Sequence, residues 1–287
     1  MFLQSRVFAL GEGRRRAVLA GAWLLLVPVG ALDYLAGPDL GLLTFYLLPV
    51  VVAAWYGGTA GGVTAAAAAS GIGLLAGLLH VPAPPPLFLV WNSVLRLLAF
   101  LIVVGILRAL RGEVDRARRD PLTGVGNRRF FLELAARELG AARRHGRPLS
   151  VAFLDLDDFK AVNDRFGHGA GDALLRWVAG AVSGAIRASD VFARIGGDEF
   201  VLLMPETDAA AARSVVDKLR ALRAPAGITG GEPATFSIGL VSFAAAPGSV
   251  ALVLERADRV MYEAKGLGKN AVRSVVVDEH GAVSAGR

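Results

Sequence analysis

Cysteine is absent from this 287-residue sequence, which excludes a disulfide framework and any metal site built on cysteine. Charged residues are nearly absent from the first 107 residues, which are rich in Leu, Val, Ala and Gly instead. The net charge of +6 does not predict a nucleic-acid partner, because much of the positive charge flanks this apolar half. The flanking basic residues are Arg14, Arg15, Arg16, Arg108, Arg111, Arg116, Arg118 and Arg119.

Four apolar segments predict an all-α transmembrane bundle of about four helices, because each approaches the ~20 residues that cross a bilayer as a helix. They are Ala17–Leu35, Leu40–Trp55, Gly61–Leu79 and Leu87–Leu107. The second segment is short, and the third is only weakly hydrophobic. The loops near Pro38 and Pro84 carry no Arg or Lys, whereas both flanks of the bundle carry many. This asymmetry predicts that both ends of the bundle lie in the cytoplasm.

Arg96 lies near the middle of the fourth segment, and Asn92 precedes it by one helical turn on the same face. An arginine at the centre of a bilayer is costly, so it usually faces protein or a watery cavity. Two interpretations stay open. One is a polar pocket that senses a signal, and the other is a structural contact with Asp33 or Asn92.

Residues 108–119 are predicted to form a signalling helix that leaves the bundle. An a/d pattern of apolar residues leads into it, which is typical of a parallel coiled coil between two chains. The pattern consists of Val103, Leu107, Leu110, Val114 and Ala117. It is shorter than three heptads and contains Gly112, so a plain amphipathic helix end is the alternative.

Strand-type and helix-type segments alternate from Asp120 onward. The predicted strands lie at about 149–154, 234–243 and 271–277, and the helices at about 128–144, 173–187, 209–223 and 250–265. This alternation predicts an α/β or α+β domain over residues 120–277, with a central, mostly antiparallel sheet flanked by helices. The polar segment 278–287 is predicted to be a disordered tail.

A glycine-rich acidic stretch, ARIGGDEF, occupies residues 193–200 between two apolar runs. Gly196 and Gly197 predict a tight hairpin turn there, since glycine reaches positive φ without steric cost. Asp198 and Glu199 would then stand at or beside the tip of the hairpin. Two carboxylates on a rigid hairpin suit a hard cation such as Mg²⁺, and a surface turn with solvated acids is the simpler alternative.

Asp155 follows the apolar run 149–154 directly. Because a strand end is rigid, Asp155 is a candidate metal ligand that would pair across the sheet with Asp198 or Glu199. The alternative is an aspartate that merely ends a strand. Lys265 and Lys269 could bind phosphates as point charges, or could complement the dipole at a helix end.

Five motifs in one order resemble the GGDEF family of diguanylate cyclases, and they cover about residues 120–277. The motifs are DPLTGVGNRRFF (120–131), DLDDFKAVNDRFGHGAGD (155–172), RASDVFARIGGDEF (187–200), TFSIG (235–239) and ADRVMYEAKGLGKN (257–270). The resemblance implies a nucleotide-cyclase-like fold that condenses two GTP into cyclic di-GMP and releases two pyrophosphates. It also implies Mg²⁺ or Mn²⁺ as the cofactor, a homodimer for catalysis, and a bacterial inner membrane as the location.

The resemblance also implies roles for the acidic residues. Asp155 and Asp198 resemble the metal ligands of the family, together with the backbone carbonyl of Leu156. Glu199 resembles the acid that assists metal binding or takes the proton of the 3′-hydroxyl, and the sequence does not choose between the two roles. Lys160 resembles a lysine that stabilises charge on the transferring phosphate.

Further positions match the substrate and product contacts of the family. The substrate set comprises Asn163, Asp172, Phe159, Lys265 and Lys269. Asp172 favours guanine, because a carboxylate accepts hydrogen bonds from the N1 and N2 donors of that base. Lys269 departs mildly from the pattern, since arginine is frequent at that position. Arg187 and Asp190 resemble an RxxD site that binds the product and inhibits the enzyme.

Two other functions compete with the enzyme. A catalytically silent cyclic di-GMP receptor would use Arg187 and Asp190, but it would have no need for the acids of the predicted metal site. A transporter or channel with a regulatory domain has little support from four short apolar segments. The sequence therefore favours a membrane-anchored diguanylate cyclase, with residues 1–107 as a sensor or anchor.

Overall fold

The computed structural model describes residues 12–37, 42–80, 84–229, 234–278, 280 and 282–286. The described residues divide into two compact units, one up to Asp115 and the other from Arg116 onward. Each unit has its own hydrophobic core.

Three apolar helices form the N-terminal unit: α1 (Glu12–Ala36), α2 (Leu43–Leu79) and α3 (Pro86–Arg116). Each is long and apolar enough to cross a membrane. The prediction of four separate helices is not confirmed, because the second and third predicted segments fall within α2. That helix has 37 residues but leaves helical geometry at Gly58, where φ is 72° and ψ is −167°. Glycine tolerates this backbone conformation, so α2 consists of two helical stretches joined at a break.

The break in α2 exposes backbone carbonyls that two arginines contact. The side chain of Arg15 in α1 donates from Nε to the carbonyl of Tyr56 at 2.8 Å. From α3, Arg111 donates from Nη1 to the carbonyl of Trp55 at 2.7 Å, and its guanidinium lies 5.9 Å from the centre of the Trp55 ring. Carbonyls at a helix end lack intrahelical donors, so these contacts stabilise the break.

Small side chains allow the three helices to approach closely. Ala65, Ala66 and Ala69 of α2 are buried together with Tyr46 and Phe100. Large apolar side chains point outward instead, and several are more than half exposed. These include Leu24, Val27, Leu35, Leu87, Trp91 and Ile102. A core of small residues beneath an apolar exterior is typical of helices that pack in lipid.

The predicted signalling helix is the end of α3, which stops at Arg116. Ala117 therefore lies outside the helix, and its place in the predicted a/d pattern is wrong. Leu110 and Val114, which precede it in the pattern, are exposed at 56% and 38%. Parallel pairing of two chains through this segment stays a prediction.

The C-terminal unit alternates strands and helices as predicted, with two additional short strands. Its strands are β1 (Gly126–Asn127), β2 (Leu149–Leu156), β3 (Val191–Arg194), β4 (Glu199–Pro205), β5 (Phe236–Phe243), β6 (Val272–Val277) and β7 (Val283–Ala285). Its helices are α4 (Arg128–His145), α5 (Phe159–Phe166), α6 (His168–Ala185), α7 (Ala209–Arg220), α8 (Ala226–Thr229) and α9 (Val250–Gly266).

The strands form one mixed sheet in the order β1-β3-β4-β2-β5-β6-β7. Four of the six pairings are antiparallel, and the pairs β1–β3 and β5–β6 are parallel. Every residue of the central strand β2 is buried, because helices cover both faces. Leu154 packs on the face covered by α6 and α7, and Phe153 on the face covered by α4 and α9. The predicted class, a sheet flanked by helices, is therefore correct, and the sheet is mixed.

The predicted disorder of residues 278–287 is wrong for the part that forms β7. This strand pairs antiparallel with β6, and Val277 lies opposite Val283. Asp278 shapes the turn, since its Oδ1 accepts hydrogen bonds from the backbone nitrogens of His280 and Ala282 at 2.9 and 2.8 Å. A polar, glycine-containing segment can still add a strand when a sheet edge offers free backbone groups.

Gly239 in β5 lies where α9 packs closely on the sheet. A Cβ at this position would lie 2.2 Å from the backbone nitrogen of Met261 and 2.5 Å from the carbonyl oxygen of Ala257. Because backbone atoms cannot move aside cheaply, Gly239→Ala should destabilise the C-terminal unit by about 3 kcal/mol. Urea unfolding of residues 116–287, followed by circular dichroism, measures this change.

Gly180→Ala in α6 is the matched control, because a Cβ there meets nothing within 4 Å. Replacing an unhindered helical glycine should stabilise the domain by roughly 0.5–1 kcal/mol. Equal effects of the two substitutions would contradict the close packing of α9 on β5.

Candidate active site

The antiparallel register of β2 and β4 places two acids opposite each other. Asp155 pairs with Glu199 on one side and with Ser237 of β5 on the other. Asp155 is only 5% exposed, because it belongs to a strand that is covered on both faces. The sequence placed Asp155 just beyond the strand, whereas β2 continues to Leu156. Neighbouring strands therefore fix the position of its carboxylate.

Lys265 is the cationic partner of Asp155. Its Nζ lies 2.8 Å from Oδ1 of Asp155. Burial, together with the nearby charges of Asp198 and Asp157, nevertheless raises the pKa of Asp155 above its ordinary value. The ammonium of Lys265 opposes that shift but does not reverse it. This strand end thus holds more negative charge than a single lysine balances.

Glu199 experiences the same excess of negative charge. Burial raises its pKa, and the carboxylates of Asp155, Asp198 and Asp258 raise it further. Asp258 belongs to α9 and was not identified from the sequence, because nothing in its local pattern places it near the hairpin. A carboxylate with a raised pKa is a better proton acceptor than an ordinary one.

The hairpin between β3 and β4 carries Asp198 and, at the start of β4, Glu199, and it turns at Gly196 and Gly197. Neither glycine is among the described residues with positive φ, so the turn does not draw on that property of glycine. Instead, a Cβ on Gly196 would lie 2.6 Å from Oε2 of Glu199. Gly197 uses its carbonyl oxygen to accept hydrogen bonds from Nε and Nη2 of Arg194, at 3.0 and 2.7 Å. A side chain at position 196 would therefore push the carboxylate of Glu199 aside.

Arg194 joins the hairpin to the start of the domain. Besides contacting Gly197, its Nη1 lies 3.1 and 3.2 Å from the two carboxylate oxygens of Asp120. Asp120 also accepts hydrogen bonds from Thr123. Burial alone would raise the pKa of Asp120, but the contacts with Thr123 and Arg194 outweigh it and hold the pKa below its usual value. Sequence reasoning missed this pair, although both residues lie in motifs that it had singled out.

Asp157 and Asp158 were not given roles from the sequence, and the structure gives them two different ones. Asp157 accepts hydrogen bonds from the hydroxyls of Thr235 and Ser237, both at 2.6 Å, and from the backbone nitrogen of Asn270 at 2.8 Å. Asp157 thus fastens the segment after α9 to the start of β5. Asp158 contacts Nζ of Lys269 at 2.5 and 2.6 Å and has a left-handed φ of 55°. Lys269 is accordingly held near the acidic strand end.

The donor set fits a hard divalent cation in its chemistry. Oδ1 of Asp155 is buried and lies 2.8 Å from Nζ of Lys265, so a cation at this oxygen would share it with the lysine or displace the ammonium. Asp198 lies close enough to affect the pKa of Asp155, and its carbonyl accepts a hydrogen bond from the nitrogen of Leu156 at 3.3 Å. Within the described part of the chain, no group of three His, Cys, Asp or Glu side chains converges as a complete ligand set. Backbone carbonyl, water or phosphate oxygens would have to complete the coordination.

The residues predicted to read the substrate base lie together on two short helical segments. Asn163 and Phe159 of α5 both pack against Gly171, where a Cβ would lie 2.0 Å from Oδ1 of Asn163. Asp172 follows Gly171 in α6 and faces Arg176 at 3.7 Å. Lys160 is exposed in the first turn of α5. Asn163, Phe159 and Asp172 thus lie close together around Gly171, and their roles toward the substrate stay predictions.

The predicted product site forms a tight turn before β3. The backbone nitrogen of Arg187 donates to Oδ2 of Asp190 at 2.9 Å, and the nitrogen of Asp190 donates to the carbonyl of Arg187 at 3.0 Å. Asp190 is 6% exposed, whereas Arg187 is exposed at the surface. The aspartate therefore holds the turn, and the arginine side chain is the more accessible member of the pair.

Comparisons with known proteins match the same part of the chain. A family described as "Diguanylate cyclase, GGDEF domain" matches residues 117–271. The diguanylate cyclase DgcP of Pseudomonas aeruginosa is 40% identical over 164 residues, which make up 56% of this chain and 24% of that protein. The response regulator PleD of Caulobacter vibrioides is 36% identical over 172 residues, or 57% of this chain and 38% of PleD. This chain thus covers well under half of these curated relatives.

Solved structures give the same result for the fold. The coiled coil and GGDEF domain of DgcB from Caulobacter crescentus, solved in complex with c-di-GMP, superposes with a TM-score of 0.57 at 29% identity. That match covers 62% of this chain and 97% of the DgcB chain. The diguanylate cyclase SiaD from Pseudomonas aeruginosa, solved with its activator SiaC, gives 0.53 at 32% identity, over 64% of this chain and 74% of SiaD.

The crowding of acids around Glu199 predicts a pH-dependent gain in stability when its charge is removed. The folded-state pKa of Glu199 is raised, so the protonated form stabilises the fold and that stability is lost as the pH rises through the folded pKa. A neutral glutamine avoids this loss. Glu199→Gln should therefore raise the melting temperature of residues 116–287 at pH 8 by a few degrees, because ~1 kcal/mol moves the midpoint of such a domain by roughly 2–4 °C.

At pH 5 the gain should shrink, since wild-type Glu199 is then more protonated. Glu255→Gln is the matched control, because Glu255 is an exposed carboxylate on α9. Melting curves at both pH values measure the effect. A gain for Glu199→Gln that does not change between pH 5 and pH 8 would disprove the explanation by charge.

Proposed function

Because this chain belongs to the GGDEF family, we propose that its C-terminal domain is a diguanylate cyclase that converts two GTP into cyclic di-GMP and two pyrophosphates. The observation that carries the proposal is the pairing of Asp155 with Glu199 across β2 and β4, with Asp198 beside them. Three acids at one strand end are unfavourable for the fold itself, so their presence favours a role in binding a cation and moving a proton.

In this proposal, Asp155, Asp198 and the carbonyl of Leu156 hold Mg²⁺ or Mn²⁺. When bound, such a cation offsets the charge of the triphosphate and of the leaving pyrophosphate. Lys265 and Lys269 are near enough to the acids to contact the same triphosphate, since each already pairs with an aspartate of this region. Lys160, on the first turn of α5, is proposed to stabilise charge on the transferring phosphate.

Glu199 is proposed to accept the proton of the attacking 3′-hydroxyl. The 3′-oxygen then forms a bond with the α-phosphorus of the second GTP, and the bond from that phosphorus to the bridging oxygen of the pyrophosphate breaks. The same step occurs a second time in the opposite direction and closes the ring. A raised pKa suits Glu199 to the task, because proton transfer is most efficient when the pKa of the base lies near the working pH.

Guanine is proposed to bind at the region of α5 and α6 where Asn163 and Asp172 lie. The carboxylate of Asp172 can accept from both N1 and N2 of guanine, whereas adenine offers no donors in that arrangement. The amide of Asn163 can donate to an acceptor on the base. Phe159, which packs beside Asn163 against Gly171, supplies an apolar wall.

Two copies of the domain are proposed to face each other during the reaction. One domain holds one GTP, and the product needs two bonds between different nucleotides, so a homodimer would bring both α-phosphates within reach. The apolar helices of the N-terminal unit are proposed to anchor the chain in the bacterial inner membrane. Their outward-facing leucines and valines suit contact with lipid, and contact with lipid is in turn a means of keeping two chains together.

The topology of the anchor is proposed from the break in α2. A helix of 37 residues would extend about 55 Å, well beyond the ~30 Å core of a bilayer. If the chain reverses at Gly58, the bundle crosses the membrane four times. Arg15 and Arg111 then lie with the break on one side, and that side is the cytoplasm by the bias of arginine and lysine toward it.

Product inhibition at Arg187 and Asp190 is a further part of the proposal. Arg187 is exposed and could contact a guanine or phosphate of the product, while Asp190 shapes the turn that presents it. The alternative function is a receptor that binds cyclic di-GMP at this turn and does not catalyse. The buried, crowded acids speak against the receptor, since binding at Arg187 does not require them.

The full-length protein in detergent or lipid, supplied with GTP and Mg²⁺, should form cyclic di-GMP that mass spectrometry identifies. Glu199→Ala should lower the rate by at least about 100-fold, the usual contribution of a general base. The matched control is Glu255→Ala, which should leave the rate unchanged.

No product from the wild type would contradict the proposed enzyme. If the same preparation still bound cyclic di-GMP, and Arg187→Ala abolished that binding, the receptor would be the better description. Removal of the divalent cation with a chelator should stop synthesis reversibly in the enzyme, and should leave product binding by the receptor intact.

The assignment of Asp172 to guanine predicts how the enzyme treats inosine triphosphate, which lacks the 2-amino group. Wild type should prefer GTP over this analogue in kcat/KM by roughly 10- to 100-fold, because a hydrogen bond to a charged group contributes about 1.5–3 kcal/mol. Asp172→Asn should reduce that preference.

Asp164→Asn is the matched control for this measurement, since Asp164 is exposed on α5. Steady-state rates with both nucleotides give the ratio for each variant. An unchanged ratio in Asp172→Asn would show that this carboxylate does not read the 2-amino group.

A further inference from the structure

A cavity of about 260 Å³ lies within the N-terminal unit, between the last turns of α1 and α2 and the first half of α3. Its walls combine apolar residues with a group of polar ones. The polar residues are Asp33, His80, Asn92, Ser93 and Arg96. Polar side chains are expensive within apolar helices, so a cavity that collects five of them calls for an explanation.

An ion pair forms one wall of the cavity. Nη1 of Arg96 lies 2.9 Å from Oδ2 of Asp33, which also accepts a hydrogen bond from the hydroxyl of Tyr46 at 3.1 Å. The guanidinium stands 5.1 Å from the centre of the Tyr46 ring. Both charged side chains are largely buried, at 16% exposure for Arg96 and 8% for Asp33. Of the two structural partners predicted for Arg96, Asp33 is the one found.

Several other hydrogen-bonding groups of the cavity have no partner among the described residues. Arginine has five donors, and within the described part of the chain the Arg96 guanidinium contacts Asp33, through Nη1, and the side chain of Tyr46. Neither the amide of Asn92 nor the imidazole of His80 hydrogen-bonds another described residue. Ser93 is different, because its hydroxyl donates to the carbonyl of Leu89 at 2.8 Å. The unused groups are therefore mainly donors, and they line one space.

Gly73 makes room for the guanidinium in this wall. A Cβ on Gly73 would lie 1.6 Å from Nη1 of Arg96 and 2.5 Å from its Cζ. The neighbouring Gly71 meets nothing within 4 Å. Glycine at position 73 is thus required for Arg96 to reach Asp33 beside the cavity, whereas glycine at position 71 has no such role.

We propose that this cavity binds a small monocarboxylic acid, with the carboxylate on Arg96 and Asn92 and a short apolar body against the surrounding leucines and Phe88. The free donors of Arg96 and Asn92 match the acceptor oxygens of a carboxylate, and a guanidinium can bind a carboxylate with two parallel hydrogen bonds. The carboxylate of Asp33 is already paired with Arg96 and Tyr46, which leaves it less available to a cation, and an inorganic anion would leave the apolar walls without a partner. At ~30 Å³ for each water-sized group, the volume admits a molecule of about eight or nine such groups.

Binding of a carboxylate would compete with Asp33 for Arg96. Because Asp33 belongs to α1 and Arg96 to α3, weakening their ion pair would alter the contact between these two helices. The helix α3 continues without a break to Arg116. Any effect of this binding on cyclase activity rests on the proposed function, whereas the binding itself does not.

The test is titration calorimetry with the full-length protein in lipid nanodiscs, with sodium butyrate as the probe. Butyl alcohol and butylammonium chloride have the same four-carbon skeleton without the carboxylate, and they are the control ligands. Butyrate should bind with one site per chain, and neither control should bind measurably.

Two glycine variants then locate the site. Gly73→Ala should weaken butyrate binding at least tenfold, because the new methyl group displaces the guanidinium, and Gly71→Ala should retain the wild-type affinity within twofold. Asn92→Ala, which removes a donor without disturbing the ion pair, should also weaken binding and should keep the wild-type melting temperature.

Failure of butyrate to bind, binding of the alcohol or amine with equal affinity, or equal affinity in Gly73→Ala and wild type would each overturn the proposal. These outcomes are independent of catalysis, because heat of binding is measured without GTP. Butyrate binding in a protein that makes no cyclic di-GMP would refute the proposed enzyme and leave the cavity assignment standing.

Discussion

The C-terminal domain depends on one geometric constraint, the antiparallel register that places Asp155 of β2 opposite Glu199 of β4. Neighbouring strands lie about 4.8 Å apart, so two carboxylates in directly opposite positions repel each other. Burial raises the pKa of both groups; Asp198 and Asp157 raise that of Asp155 further, and Asp155 and Asp198 raise that of Glu199. A sheet selected for stability alone would not have this pair at its centre. The register therefore lowers the stability of the fold and, under the proposed function, provides a site that attracts a cation.

Several contacts around the acids limit this cost. Lys265 pairs with Asp155, and Asp157 is fully engaged by hydroxyl and backbone donors. Arg194 ties the hairpin to Asp120, which keeps the tip in place without adding a cation beside Glu199 itself. The positive charges thus hold the frame of the site, and its centre stays electron-rich. That division suits the proposed cation site, because a fully neutralised centre would attract a cation less, and the cation would in turn attract the triphosphate.

Sequence patterns predicted the elements of this domain well, since apolar periodicity and turn residues are local signals. They predicted Asp155, Asp198 and Glu199 as a group because rigid strand ends and acidic turns are also local. What they missed depends on distant packing. The close approach of the Glu199 side chain to Gly196 is one example, and β7 forms because β6 offers a free edge. Asp258 joins the acids only through the placement of α9 on the sheet.

The same limit applies to the N-terminal helical unit. Hydropathy located the apolar stretches, but it could not show that Gly58 breaks α2 without ending it, or that Arg15 and Arg111 meet the carbonyls at that break. Those carbonyls need donors, and arginines at the start of α1 and late in α3 supply them. Arg96 and Arg111 therefore fix α3 to the other helices at two points, one beside the cavity and one at the break. A change in the contact of Arg96 would leave α3 held mainly by Arg111 at the break. This is a physical reason for the proposed binding cavity to lie beside α3, the helix that leads out of the bundle.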